Sequence, residues 1–236
     1  MTFSVVLNTF VQLFKGVPVT LTFIIFAWIL GSSLSILVTA GRLSQHQWLR
    51  AILTVYVSFI RSVPIVLQLF LVYYGLPLVV KLSLGIDLSS VSKMLFCVIT
   101  FTLYYGAYLS EILRPSYLTV SAEQRDAALS MGYTPLQADI HVLIPQTLSI
   151  AIPGLGNEII NLVHQSSILF VLGTVDLMGQ ADTIVSNDYT SSPLLTYFCA
   201  GLIYWAIVII LNLVLSFLEV RIDKFRDLPS ERSLIR

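Results

Sequence analysis

Side chains with chemical capacity are scarce in this chain and gather in two places. In the first, Asn157, Glu158, Asn161, His164 and Gln165 interrupt an otherwise apolar run. Glu158, Asn161 and Gln165 stand at i, i+3 and i+7 and share one helix face, with Asn157 and His164 flanking it. A carboxylate inside a membrane span costs roughly 2.5–3.5 kcal/mol, so it faces a cavity or a partner. The spacing suits a polar path that could hold an ammonium group. The competing account is structural: Glu158 capped by interhelical hydrogen bonds, or standing in water near a membrane mouth. His164 taken alone is more often a packing residue than a ligand. Gly154 and Gly156, just ahead, would let another backbone approach closely.

The second place is polar and helical in pattern: residues 121–145, SAEQRDAALSMGYTPLQADIHVLIP. Ser121 and Gln124 have capping-box spacing, so a helix is expected from Ala122. Gly132 ends it, because glycine takes the left-handed cap conformation without a Cβ clash. Thr134, Pro135 and Gln137 repeat the start signal. The second helix puts Leu136, Ile140, Leu143 and Ile144 on one face and is expected to stop at Pro145. Ala127 and Ala128 leave the first helix flat, which suits close docking. The expectation is a capped helical hairpin.

Other chemistry has little to build on. The chain contains no H-E-x-x-H and no clustered cysteines, and Cys97 and Cys199 lie in apolar runs as small packing residues. No G-x-x-x-x-G-K-[ST] phosphate loop occurs, so any ATP must be bound by a partner. A net charge of zero argues against nucleic acid. No enzyme activity, metal or cofactor is expected in this chain.

Composition dictates what positions these residues. Of 236 residues, 56% are hydrophobic and 11% charged, against about 25% charged in soluble domains. A chain this apolar needs lipid as its solvent. Residues 1–16 read as an amphipathic entry helix on the membrane surface. Five spans follow, at about 17–40, 62–80, 94–113, 150–175 and 193–218, in a single transmembrane domain covering 1–236. The first is roughly 36 Å long, enough to cross. Arg42, His46 and Arg50 fall in the loop after it, Arg61 and Pro64 at the entry to the second, and 176–192 in a further loop.

Basic residues set the orientation. Arg42, Arg50, Arg114, Arg125, Arg221, Lys224, Arg226, Arg232 and Arg236 share the hairpin's side of the membrane. The opposite side carries Lys15, Lys81 and Lys93 with Asp176, Asp182 and Asp188. The positive-inside rule puts the hairpin and C-terminus in the cytoplasm and the N-terminus outside.

At the hairpin the chain resembles a known family. Asp126-Ala127-Ala128, three residues, Gly132, nine residues and Val142-Leu143-Ile144-Pro145 are similar to the cytoplasmic loop motif of ABC importer permeases. That motif usually runs Glu-Ala-Ala, x3, Gly, x9, Ile-x-Leu-Pro, so Asp126, Val142 and Ile144 are conservative departures. Lys15-Gly16 with Thr20-Leu21, Arg61-Ser62-Val63-Pro64 with Gln68, Tyr108 with Glu111, and Pro145-Gln146 through Ile152-Pro153-Gly154-Leu155-Gly156-Asn157-Glu158 look like its polar-amino-acid branch. Where that branch usually has a Lys-Asp-Thr-Ser-Leu-like run, this chain has His164-Gln165-Ser166-Ser167-Ile168.

The resemblance spans about 15–225 and implies an all-α, type I importer permease fold with five transmembrane helices. It also implies a function: import of histidine-, glutamine-, arginine- or cystine-like substrates. A second permease, a pair of ATPase subunits carrying ATP and Mg, and an extracytoplasmic binding protein would complete the transporter. Asp126, Ala127, Ala128, Gly132 and Pro145 would then couple to the ATPase. The alternative is a secondary transporter or channel subunit without an ATPase. It fits less well, because five unlike spans do not divide into repeats and a channel would not explain the hairpin.

Overall fold

The computed structural model describes residues 3–120, 122–187 and 192–222, and every regular element among them is helical. Five helical stretches are long and apolar enough to cross a membrane: Ser4–Leu43, Ile65–Leu84, Lys93–Thr119, Pro135–Leu172 and Pro193–Phe217. Ser121, Asp188, Lys224, Arg226, Arg232, Arg236 and the Arg221 side chain lie outside what is described.

The centre is a pair of long helices, α2 (Val17–Leu43) and α6 (Lys93–Thr119). Small residues let them close. A Cβ on Gly31 would lie 2.8 Å from Tyr105 Cβ, and one on Gly106 would lie 2.6 Å from Leu34. Phe23 meets Phe101 edge-to-face at 4.9 Å, a geometry that aromatic quadrupoles favour. Without a hydrophobic force between helices in lipid, this close packing holds the pair together.

Sequence patterning misses a helix ahead of the second crossing. The expected loop after α2 is a helix, α3 (Gln47–Ser62), whose Val57 and Ile60 are buried. It ends in extended Val63 and Pro64, and α4 (Ile65–Phe70) follows. Pro64 brings no N–H for the carbonyl of Ile60. The Gln68 side chain supplies one, donating at 2.7 Å to Ile60 O and at 2.8 Å to Val63 O. Gln68 is buried, a polar bracket across the break.

Prolines elsewhere are absorbed without a break. A wide π turn, Leu71–Gly75, precedes α5 (Leu76–Leu84) and its Pro77. A second π turn, Asp139–Leu143, lies between α8 (Pro135–Ala138) and α9 (Ile144–Ser166). Pro145 therefore does not stop the helix. It sits in the first turn of α9, and the preceding turn widens so that the Ile144 N–H reaches back to Asp139 O. The hairpin's second arm and the fourth span form one helical rod.

At the other end, α1 (Phe3–Phe14) buries Leu13 against α10 (Leu177–Asn187) and α11 (Pro193–Ile222). The expected loop at 176–192 thus contains a helix. Buried Asp176 begins it by accepting from the Gly179 N–H at 3.1 Å. The Leu177 N–H donates to Thr20 Oγ1 at 2.9 Å. Gly16 makes this contact possible: a Cβ there would stand 2.6 Å from Asp176 O. The Lys15-Gly16…Thr20 pattern is a docking joint between α2 and α10.

Candidate functional site

The hairpin is built by local chemistry. α7 (Ala122–Ser130) ends at Gly132, whose φ of +90° lets the Tyr133 N–H turn back to Ala128 O at 3.2 Å. Thr134 and Gln137 form the reciprocal capping box, with bonds of 3.3 and 2.9 Å. Arg125 pairs with Asp139 at 3.5 Å and Gln146 donates to Gln124 across the arms, and Tyr117 Oη of α6 donates to Asp139 at 3.1 Å, tying the hairpin to the body. Ser121 is not described, so its expected cap on Gln124 has no structural account.

The two alanines divide their roles. Ala128 is buried against the chain itself, whereas Asp126 and Ala127 face outward. The second arm also departs from expectation, since Leu143 is buried while Leu136, Ile140 and Ile144 are exposed. Met131 at the turn is 80% exposed and Leu136 67%. The hairpin presents an acidic residue and a bare apolar crown.

Within the membrane segments, the predicted face of α9 divides. Glu158 and Gln165 are half-buried toward α6, while Asn157, Asn161 and His164 form an exposed stripe. Asn161 lies beside the Glu158 carboxylate. The Gln165 amide donates to Tyr104 Oη at 3.4 Å, and Tyr104 stacks on Tyr108 with centroids 4.2 Å apart. Gly154 and Gly156 admit side chains rather than another backbone. A Cβ on Gly154 would sit 2.9 Å from Ile112, and one on Gly156 3.4 Å from Leu215.

Three charged residues complete this polar region: Arg42, expected in a loop, Arg61, expected at the entry to the second span, and Glu111, singled out by the family resemblance. Glu111 on α6 pairs with Arg42 at the end of α2 and, at 2.7 Å, with Arg61 at the end of α3. The Arg61 guanidinium lies over the Tyr108 ring, 5.7 Å from its centroid. Among the described residues it forms no ion pair with Glu158. The break at Pro64 ends α3 where Arg61 meets Glu111 and Tyr108. A cation three residues before a proline in an apolar run was the available signal.

The outward hairpin's second arm continues into the polar-faced span as one helix. Comparison decides the family. Residues 31–224 match the family of binding-protein-dependent transport system inner membrane components. The chain belongs to this family. It is 34% identical to a probable glutamine ABC transporter permease protein, GlnM, of Bacillus subtilis (strain 168), covering 95% of this chain and 99% of that one. It is 31% identical to a probable amino-acid ABC transporter permease protein, PatM, of Vibrio harveyi, covering 94% and 96%. Among solved structures, an amino acid ABC transporter crystallised with histidines matches with a TM-score of 0.80 at 27% identity, over 94% of this chain and 99% of that one. Membership sets aside the alternative of a secondary transporter or channel subunit. The chain is an all-α, multi-pass membrane permease.

Proposed function

We propose that this permease imports a polar amino acid, and that an ATPase gripping the 121–145 hairpin drives it. The observation that carries the reading is the rod from Pro135 to Ser166. It joins the exposed hairpin to Glu158 through continuous helix, the π turn included. From 135 to 158 such a rod extends roughly 35 Å, so a force applied at Leu136 reaches the polar face along one element. Asp126, Ala127, Gly132 and the apolar crown form the docking face, Ala128 fixes the first arm to the body, and Pro145 seats the second. ATP and Mg belong to the partner, since this sequence has no phosphate-binding loop.

Asn157, Glu158, Asn161, His164 and Gln165 line one wall of the path. The exposed stripe of Asn157, Asn161 and His164 faces a second permease, either a copy of this chain or a relative. An extracytoplasmic binding protein delivers substrate to the side of α10, and the hairpin lies in the cytoplasm. Relatives with amino-acid and glutamine names support the substrate class.

Reconstituted vesicles test the path. The complete transporter should accumulate labelled polar amino acid when ATP is supplied on the hairpin side. Glu158→Gln should assemble and hydrolyse ATP yet lose uptake at least about tenfold, as expected when a charge-assisted contact is removed. Wild-type uptake by that variant removes Glu158 from the path. Orientation is checked by reporters, cytoplasmic after Arg236 and external at Asn187.

A further inference from the structure

We propose that Arg61 is the specificity residue that holds the carboxylate of the permeant amino acid, with Glu111 as its resting counter-ion. The inference rests on the polar-amino-acid reading of the Glu158 path and adds the opposite pole of the site. Two guanidiniums share the single carboxylate of Glu111, but they are not equivalent. The Arg42 side chain is 10% exposed, and the Arg61 side chain is 47% exposed. Arg42 is a fixed internal partner. Arg61 has donors to spare, because a guanidinium carries five N–H groups and a single 2.7 Å contact to Glu111 leaves most of them free.

Its surroundings tie it to the polar face of α9 through two tyrosines. Tyr108 supports the guanidinium face at 5.7 Å and itself stacks on Tyr104, the residue that holds Gln165. Glu158 shares the half-buried face of α9 with Gln165, which Tyr104 holds, and forms no ion pair with Arg61 among the described residues. A cation and an anion held apart in one polar region match a zwitterion, with its carboxylate on Arg61 and its ammonium on Glu158. Each charge then offsets the desolvation of the one it meets. Pairing with Glu111 keeps Arg61 from lying as an isolated cation when the path is empty.

The test uses the permease purified with its ATPase subunits. Labelled L-glutamine, L-histidine, L-arginine and L-cystine are bound, and each is displaced by its own α-amide and its own N-acetyl derivative. On the wild-type complex both analogues should compete at least about tenfold worse than the parent, since each lacks one charge-assisted contact. Arg61→Gln should abolish the penalty against the amide and keep the penalty against the N-acetyl compound; Glu158→Gln should do the reverse. Arg61→Lys should keep part of the amide penalty. Glu111→Gln, which frees Arg61 from its counter-ion, should tighten parent binding.

A full amide penalty in Arg61→Gln, or equal loss of both penalties, overturns the proposal. Should Arg61→Gln fail to assemble, Glu111→Gln decides, and unchanged or weaker binding there overturns it. A Glu158→Gln complex that keeps its N-acetyl penalty sinks the Glu158 reading alone. Absence of binding by all four parents sinks the amino-acid reading, and this inference with it.

Discussion

The hairpin and the membrane polar cluster are assembled in opposite ways. Every decisive bond of the hairpin turn is local: Tyr133 to Ala128, Gln137 to Thr134 and back. The cluster is gathered from four helices, with its two ion pairs joining residues 69 and 50 positions apart. The hairpin exposes its polar and apolar groups to solvent, where a soluble partner can meet them. The cluster instead keeps its charges half-sheltered and mutually balanced, because a charge among apolar spans is tolerated when it has a partner. An element that must be gripped can be specified by a short run of residues. A polar cluster gathered from four helices depends on the whole bundle.

Breaking the bundle should therefore cost more than altering the hairpin. Gln68→Leu leaves the carbonyls of Ile60 and Val63 without their donor, at about 1–3 kcal/mol for each orphaned group. The purified complex should melt several degrees lower. Adding Pro64→Ala, which restores a backbone N–H at the break, should recover part of the loss. A melting point unmoved by Gln68→Leu would mean that the bracket is not structural.

Gly132→Val acts on the hairpin alone. A β-branched residue at φ +90° costs about 1–2 kcal/mol. A Cβ there would meet nothing within 4 Å, so the strain comes from the backbone and not from crowding. Uptake should fall about tenfold or more while melting of the membrane bundle changes little. Equal loss of bundle stability would blur the distinction between the two regions.

The smallest effect is expected at Asp126, which is exposed and makes no ion pair among the described residues. Asp126→Ala should weaken ATPase association severalfold in a titration, and Asp126→Glu should leave it near wild type. Identical affinities for all three chains would remove Asp126 from the docking face.

The same contrast explains what was legible in the sequence. Gly132, Thr134 and Gln137 announce their turn because caps act within three or four residues. Five spans follow from hydropathy for a similar reason. Helix α3 escaped because its apolar face is diluted by Arg50 and Arg61, and α10 because a loop-like composition hid the Asp176 cap. Pro145 misled because a proline's cost depends on whether the preceding turn can widen, which the bundle decides. Glu111 and Arg61 were visible as charges, but nothing near either in sequence names the other as its partner.

The central claim is that the bare crown of the hairpin is what the ATPase holds. The direct measurement is co-elution of the ATPase subunits with the permease carrying Met131→Glu and Leu136→Glu, two residues exposed to 80% and 67%. Because neither side chain is packed within the chain, the doubly substituted permease should melt like wild type and elute without its ATPase. Full retention of the ATPase by a correctly folded double variant would contradict the account.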